Sequence, residues 1–253
     1  MTFTAHTPSA KSPSATTSSP RHVVLVPGFW LGGWAWDDVA PRLALAGLVP
    51  HPVTLPGLAG PDDRRDGIVL EDHVRTVTDL VDSLDGDVVL VGHSGGAVVV
   101  QSVVDRRPDR VRRVVYVDSG PMVDGLVLFP GLPDGVVEVA FPSDDELTAQ
   151  QLSTDGLDGA ALAELRRRSV PHPAGVMGAP VQLTDERRLR VPVTAICTSL
   201  PSAVLQQLTE AGQIPSEMPR YEDVETVDLP TGHWPMLSRP TDLADALVEA
   251  ARR

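Results

Sequence analysis

One cysteine and one lysine, Cys197 and Lys11, stand among the 253 residues. A lone thiol excludes an internal disulfide and any zinc site built on several cysteines. Its setting, VTAICTS, is an apolar run, so a buried and unreactive thiol is expected. Positive charge is scarce too: 21 basic residues against 34 acidic ones leave a formal charge of −13. Phosphate backbones are held by concentrated positive surface, so no nucleic-acid partner is expected. The arginine-rich runs at 106 to 113 and 166 to 168 lie beside acids and read as solvated helix and loop faces. No stretch approaches the roughly 20 apolar residues that span a bilayer, so no membrane partner is expected.

The first twenty residues lack the apolar core of a signal peptide and are rich in Ser, Thr, Pro and Ala. They read as a flexible tail, residues 1–20, and a cytoplasmic location is expected. Aromatic residues make up only 4% of the chain, yet Trp30, Trp34 and Trp36 fall within seven residues. Core packing is expected for Trp34 and Trp36, and a place in a pocket wall for Trp30.

What is present is the composition of an ordinary globular chain, 42% hydrophobic. From residue 22 short β-rich runs alternate with helical periods, the pattern of an α/β protein with a mostly parallel sheet. Strands are expected at 22–28, 48–57, 87–92, 111–119, 191–199 and 223–230. Helices are expected at 37–47, ending at a glycine, and at 70–84, where Val74, Val77, Val81 and Leu84 share one face. A further helix begins after the third strand, although its valines alone would suggest a strand. The last helix, TDLADALVEAARR, has Thr241 placed as its N-cap. Between the fourth and fifth strands some seventy residues break the alternation. This insertion, 121–190, contains helical segments at 144–152 and 157–169 and reads as a lid over a core formed by 21–120 and 191–253.

The stretch LVGHSGGAVVV carries the chemistry. Gly92-His93-Ser94-Gly95-Gly96 satisfies G-x-S-x-G and follows an expected strand and precedes an expected helix, the context that motif needs. A sharp strand-to-helix turn holds its central residue at strained angles, and glycines on either side remove colliding side chains. Ser94 is therefore the candidate nucleophile. A serine hydroxyl needs a positioned base. His233, in LPTGHWPML just after the last strand, reaches the same sheet edge. His6, His22, His51, His73, His93 and His172 lie in the tail, at strand starts, on a helix, in the turn itself or in the insertion. The oxyanion would be held by the backbone N–H of Gly95 and of Phe29, since Pro27 has no N–H and Gly28 lets the chain turn closely.

The blocks LVPGFWLGGWAW, LVGHSGGAVV and TGHWPMLSRPTDLADAL resemble the α/β-hydrolase superfamily, especially the compact branch of plant methyl esterases and hydroxynitrile lyases. The resemblance runs through nearly the whole chain after the tail and is sharp at those three blocks. It implies an α/β-hydrolase fold, with Ser94 as nucleophile, His233 as base and oxyanion amides on Phe29 and Gly95. Two departures stand out. Pro27 occupies a position where many relatives carry histidine, which leaves the following amide intact. The acid that most of the superfamily places after the next-to-last strand is missing: TAICTSLPSAVLQQLTE has none before Glu210. An alternative known in haloalkane dehalogenases and some lactonases puts the acid at the end of the strand after the nucleophile helix, here Asp118. Asp124, six residues on, is a second candidate, and a Ser-His dyad without an acid is a third. Asp118 also has an ordinary structural role open to it, bonding amides two residues on.

The reading is a serine hydrolase acting through an acyl-enzyme on a small or medium apolar ester or lactone. The pocket wall is expected from Trp30, Met122, Leu126, Phe129, Trp234 and the lid, with neither metal nor organic cofactor. A lyase or cyclase on the same fold is the alternative, weakened in its cyanohydrin form because the one lysine lies in the tail. A ligand receptor with a relic site would be expected to have lost the serine or the histidine.

Overall fold

The computed structural model describes residues 20–253. The expected tail lies outside them apart from Pro20. Eight strands form among the described residues: β1 Arg21–Val26, β2 Val49–Pro52, β3 Asp87–His93, β4 Val111–Val117, β5 Glu138–Val139, β6 His172–Pro173, β7 Val193–Cys197 and β8 Val224–Asp228. Six of them make one sheet in the order β2-β1-β3-β4-β7-β8, with every neighbouring pair parallel. These are the six strands expected from the sequence. β5 and β6 form a separate antiparallel pair inside the insertion.

Parallel neighbours require crossover connections, and helices supply them. The helices of the described residues, in chain order, are α1 Ala40–Leu45, α2 Leu70–Ser83, α3 Gly96–Arg106, α4 Asp144–Ala149, α5 Gly159–Arg168, α6 Ala174–Met177, α7 Ser202–Glu210, α8 Pro235–Ser238 and α9 Pro240–Arg252, the last two following the final strand. Strand periodicity divides the core between the two faces of the sheet. Val88 and Leu90 pack with Val77, Val81 and Val100 on the α2 and α3 side. Val89 and Val91 pack with Leu43, Leu243 and Leu247 on the α1 and α9 side. The chain runs from β1 outward to β2, then returns to β3 and proceeds to β4 on the other side. The carboxyl ends of β1 and β3 therefore flank the point where the strand order reverses, where open α/β sheets form their crevice.

Several local expectations need correction. The second strand is only Val49–Pro52, because prolines at 50, 52 and 56 cannot donate to a ladder and are tolerated here only at a sheet edge. The helix expected at 37–47 is a 3-10 turn at Gly33–Trp36 followed by α1, which starts beside Pro41 and gives way at Gly47, whose φ is +85°. α9 begins at Pro240, so Thr241 sits in its first turn and caps nothing. Trp36 is buried as expected, but Trp34 is half-exposed with the Arg168 guanidinium 4.5 Å above its ring. Arg113 is not on a solvated face: it is buried and bonds Thr194 Oγ1 at 3.0 Å. α3 is a helix despite its valines, buried at every residue from Gly96 to Asp105. Tertiary burial overrides propensity there.

The insertion adds no strand to the main sheet. At its exit Arg188 is buried between Glu217, at 2.7 Å, and Asp105, at 3.4 Å, which tethers it to α3. No described helix is long and apolar enough to cross a membrane.

Three histidines, His73, His93 and His172, are almost wholly buried. Burial pushes His73 down to about 4 and His93 to about 3, and holds His172 well below its ordinary value. Each is neutral in the fold, whereas the unfolded chain takes up a proton at each as pH falls past about 6.5. Their stabilising effect is complete above that pH and is lost progressively below it. Urea unfolding at stepped pH is expected to show a slope approaching about 4 kcal/mol per pH unit between pH 6 and 5, corresponding to three protons. His73→Phe should remove one proton from that slope; an unchanged slope would show that His73 is charged in the fold.

Candidate active site

β3 delivers the chain to a turn whose central residue, Ser94, has φ +49°. A residue with a Cβ is strained there, so the surroundings must hold it. Two glycines make the close approach of strand and helix physically attainable. A Cβ on Gly92 would lie 2.6 Å from a Val100 methyl, and one on Gly96 would lie 2.5 Å from the Pro27 carbonyl oxygen. The Ser94 N–H donates to the Val117 carbonyl at 3.1 Å, which fixes the turn against the end of β4. α3 starts immediately behind Ser94, so the positive end of its dipole faces the hydroxyl.

His233 comes from the loop between β8 and α8. Its Nε2 lies 2.8 Å from Ser94 Oγ and its Nδ1 lies 2.6 Å from Asp118 Oδ2. With the Nδ1 proton directed to the carboxylate, Nε2 is free to accept the serine proton. Insertion and core share the task of holding this loop. The backbone N–H of His233 donates to the Ser153 carbonyl at 2.7 Å, and that of Gly232 donates to the Asp155 carbonyl at 2.9 Å. From below, His93 Nε2 donates to the His233 carbonyl at 2.7 Å. His93 lies in the turn itself, and its place in the structure is as a support for His233. Its burial keeps it neutral, which suits a donor with one N–H.

Asp118 ends β4, the strand next to β3, with φ +45°. Its side chain accepts from three donors on two residues besides His233: Ser199 N–H at 2.9 Å, Ser199 Oγ at 2.6 Å and Thr198 N–H at 3.3 Å. Burial alone would raise its pKa, but the His233 hydrogen bond and charge, with the Ser199 bonds, outweigh it and hold the carboxyl well below the usual range. Ser199 follows β7, at the place where most of the superfamily carries the acid. Sequence reasoning missed it, and the only signal was a polar residue standing in that position. Asp124 is elsewhere: its Oδ1 accepts the Leu183 N–H at 2.8 Å inside the insertion.

Phe29 and Gly95 meet across the same edge. A Cβ on Gly95 would lie 2.6 Å from the Phe29 ring, and one on Gly28 would lie 3.0 Å from Ser94 Cβ. Neither the Phe29 nor the Gly95 N–H donates to another group among the described residues. Two unengaged donors beside a serine hydroxyl can bind an oxygen that gains negative charge.

A cavity of about 560 Å³ opens above Ser94, walled by Trp30, Met122, Phe129, Leu128 and Leu152. Two expected wall residues lie elsewhere. Trp234 is buried and packs edge-on against the His233 ring at 5.0 Å, forming floor rather than wall. Leu126 lines a neighbouring cavity of about 380 Å³ that shares Met122 and Leu128 with the first. Leu128 takes the place expected for Leu126, an offset that the sequence GLVLF does not resolve. Cys197 is buried, and that burial raises its thiol to about 11. Among the described residues no three His, Cys, Asp or Glu side chains converge as a metal-binding set.

The fold has counterparts among known proteins. The model of the alpha/beta hydrolase family matches residues 23–246. A carbendazim hydrolyzing esterase of Nocardioides is 31% identical over 89% of this chain and 97% of its own. Methylesterase 17 of Arabidopsis thaliana is 22% identical over 92% of both chains. Among solved structures, an extracellular alpha/beta-hydrolase from Paenibacillus aligns with TM-score 0.73 at 20% identity, covering 92% of this chain and all of that one.

The 2.6 Å contact between His233 and Asp118 makes a direct prediction. Proton NMR in water should show a far-downfield imidazole N–H resonance that Asp118→Asn abolishes or moves upfield, while circular dichroism stays unchanged. A resonance indifferent to that substitution would remove Asp118 as the partner of His233.

Proposed function

The chain belongs to the alpha/beta hydrolase family and is an esterase-type hydrolase, and from that premise we propose that Ser94, His233 and Asp118 form its catalytic triad. The observation that carries this reading is the continuous hydrogen-bonded line from Asp118 through His233 to Ser94, at 2.6 and 2.8 Å. His233 Nε2 takes the hydroxyl proton as Ser94 Oγ attacks the ester carbonyl. The tetrahedral oxyanion is held by the Phe29 and Gly95 amides. His233 then protonates the leaving alkoxide, an acyl-Ser94 remains, and water repeats the sequence in reverse to release the acid. Asp118 keeps the imidazole in one tautomer and stabilises its cation. The segment 121–190 acts as a lid, since it supplies cavity walls and holds the loop of His233.

The substrate class we infer is an apolar carboxylic ester or lactone of small or medium size. Its support is the wall: aromatic and aliphatic side chains, with Asp118 the one charged residue lining the cleft. The adjoining cavity, which also carries Leu205 and Ile214, extends the apolar surface for a longer chain. Two relatives, a carbendazim hydrolyzing esterase and a pyrethroid hydrolase, recommend carbendazim and a pyrethroid for the substrate panel beside graded acyl esters and lactones.

A fluorophosphonate probe should label Ser94, with no labelling in Ser94→Ala and strongly slowed labelling in His233→Ala. Labelling that survives His233→Ala at full rate would rule out the acyl-enzyme reading. Asp118→Asn should lower kcat by about 10³ to 10⁴ with the fold intact, as expected for a base left in the wrong tautomer.

The adjoining cavity is tested separately. Leu205→Trp should lower the ratio of kcat/KM for p-nitrophenyl decanoate over p-nitrophenyl acetate by about tenfold or more, the scale of a few lost apolar contacts. An unchanged ratio would exclude that cavity from substrate binding.

A further inference from the structure

We propose that His172 is a positioning residue for the oxyanion turn: its Nδ1 accepts the Trp30 N–H and holds the Phe29–Trp30 peptide in one orientation, which fixes the shape of the turn that carries the Phe29 amide beside Ser94. The inference rests on the serine-esterase reading above and assigns a role to a histidine that reading does not use.

Gly28 to Leu31 form a tight turn, with the Leu31 N–H donating to the Gly28 carbonyl at 3.3 Å. Trp30 occupies its second central position with φ +66°. That is the type II arrangement, in which the position belongs to glycine or asparagine because any other Cβ is strained. A turn carrying tryptophan there relaxes if the peptide between Phe29 and Trp30 flips over, which gives a negative φ and the type I form. Something must oppose the flip.

Three hydrogen bonds do so, all from the insertion. The Trp30 N–H donates to His172 Nδ1 at 3.1 Å, the Trp30 carbonyl accepts from Val170 N–H at 3.0 Å, and the indole Nε1 donates to the Val139 carbonyl at 3.0 Å. Only the first bears directly on the flipping peptide. Flipping would turn the Trp30 N–H away and swing the Phe29 carbonyl toward the Nδ1 lone pair, setting acceptor against acceptor. His172 thus rewards one form of the turn and penalises the other.

The histidine itself is held rigidly. It pairs with Val139 in the β5–β6 ladder and packs on the Phe29 ring at 4.5 Å. The next carbonyl back, Pro171, accepts from the buried Arg65 at 2.7 Å. Nδ1 accepts only if the ring is neutral with its proton on Nε2. Burial, reinforced by the nearby His73 and Arg65, keeps it so. Nε2 is itself buried and without a partner among the described residues. A buried donor left unsatisfied calls for an explanation, and the acceptor needed at Nδ1 supplies one.

Two substitutions separate the acceptor from the ring. H172F keeps an aromatic ring against Phe29 and removes the acceptor; H172N removes the ring and keeps an acceptor where Nδ1 lies. On p-nitrophenyl acetate, H172F is expected to lose about 10-fold to 100-fold in kcat, short of the roughly 10² to 10³ that follows complete loss of an oxyanion donor, with KM within threefold. The inhibition constant of a trifluoromethyl ketone, which forms the same oxyanion on the serine, should rise in proportion. H172N should stay within about fivefold of wild type in all three. The reverse pattern, an unimpaired H172F and a slow H172N, would assign the effect to ring packing and overturn the inference. Where H172F does not fold, H172A replaces it, and equal losses in H172A and H172N overturn the inference equally. Wild-type turnover that Ser94→Ala abolishes is the control. If the wild type shows none, the esterase reading falls and this one with it; if it does, the histidine variants decide this inference alone.

Discussion

A serine held with positive φ between a parallel strand and the helix that follows is the constraint on which the rest of the structure depends. The strain is sustained because α3 approaches β3 at Gly92 and the Pro27 carbonyl after β1 at Gly96 so closely that a Cβ would collide at either position, and because β3 is anchored in the core on both faces of the sheet and α3 on one. The Ser94 hydroxyl then stands at the carboxyl edge, beside the start of a buried helix, at the point where the strand order reverses. Every other group of the site reaches that spot from a strand end or from the insertion.

The carboxylate illustrates how sheet topology substitutes one residue for another. β4 lies between β3 and β7, so the end of β4 and the end of β7 are neighbours on the same edge. A carboxylate at either end comes within reach of a histidine that descends from the loop after β8. Here the carboxylate that meets His233 is Asp118, directly after β4, and the β7 end contributes Ser199 and Thr198 as donors that favour its ionised form. The position that usually supplies the charge supplies the hydrogen bonds that stabilise it.

The insertion does more than wall the cavity above Ser94. Ser153 and Asp155 hold the loop of His233, while Val139, Val170 and His172 hold Trp30 beside Phe29. The loop of His233 and the turn of Phe29 and Trp30 are thus both fastened to one segment, and movement of that segment would disturb both together. Its exit is in turn tied to α3 through Asp105 and Arg188.

Much of this was written in the sequence. Six strands, the serine turn and the histidine after the last strand follow from local pattern, because hydrophobic periodicity and glycine placement act over a few residues. Chain position favours Asp118, at the end of the strand, over Asp124 six residues on, but it shows no contact of either. Only the fold turned one toward His233 and the other toward Leu183. The same holds for Leu128 in place of Leu126, Trp234 as floor, Ser199 beside Asp118, and His172 against Trp30, 142 residues away. What the sequence by itself determined was the six strands of the main sheet, the helices that alternate with them in outline and the strained serine, which local forces specify. What the tertiary structure decided was which distant polar groups meet, because those pairings depend on strand order and on a seventy-residue insertion that carries no periodic signal of its destination.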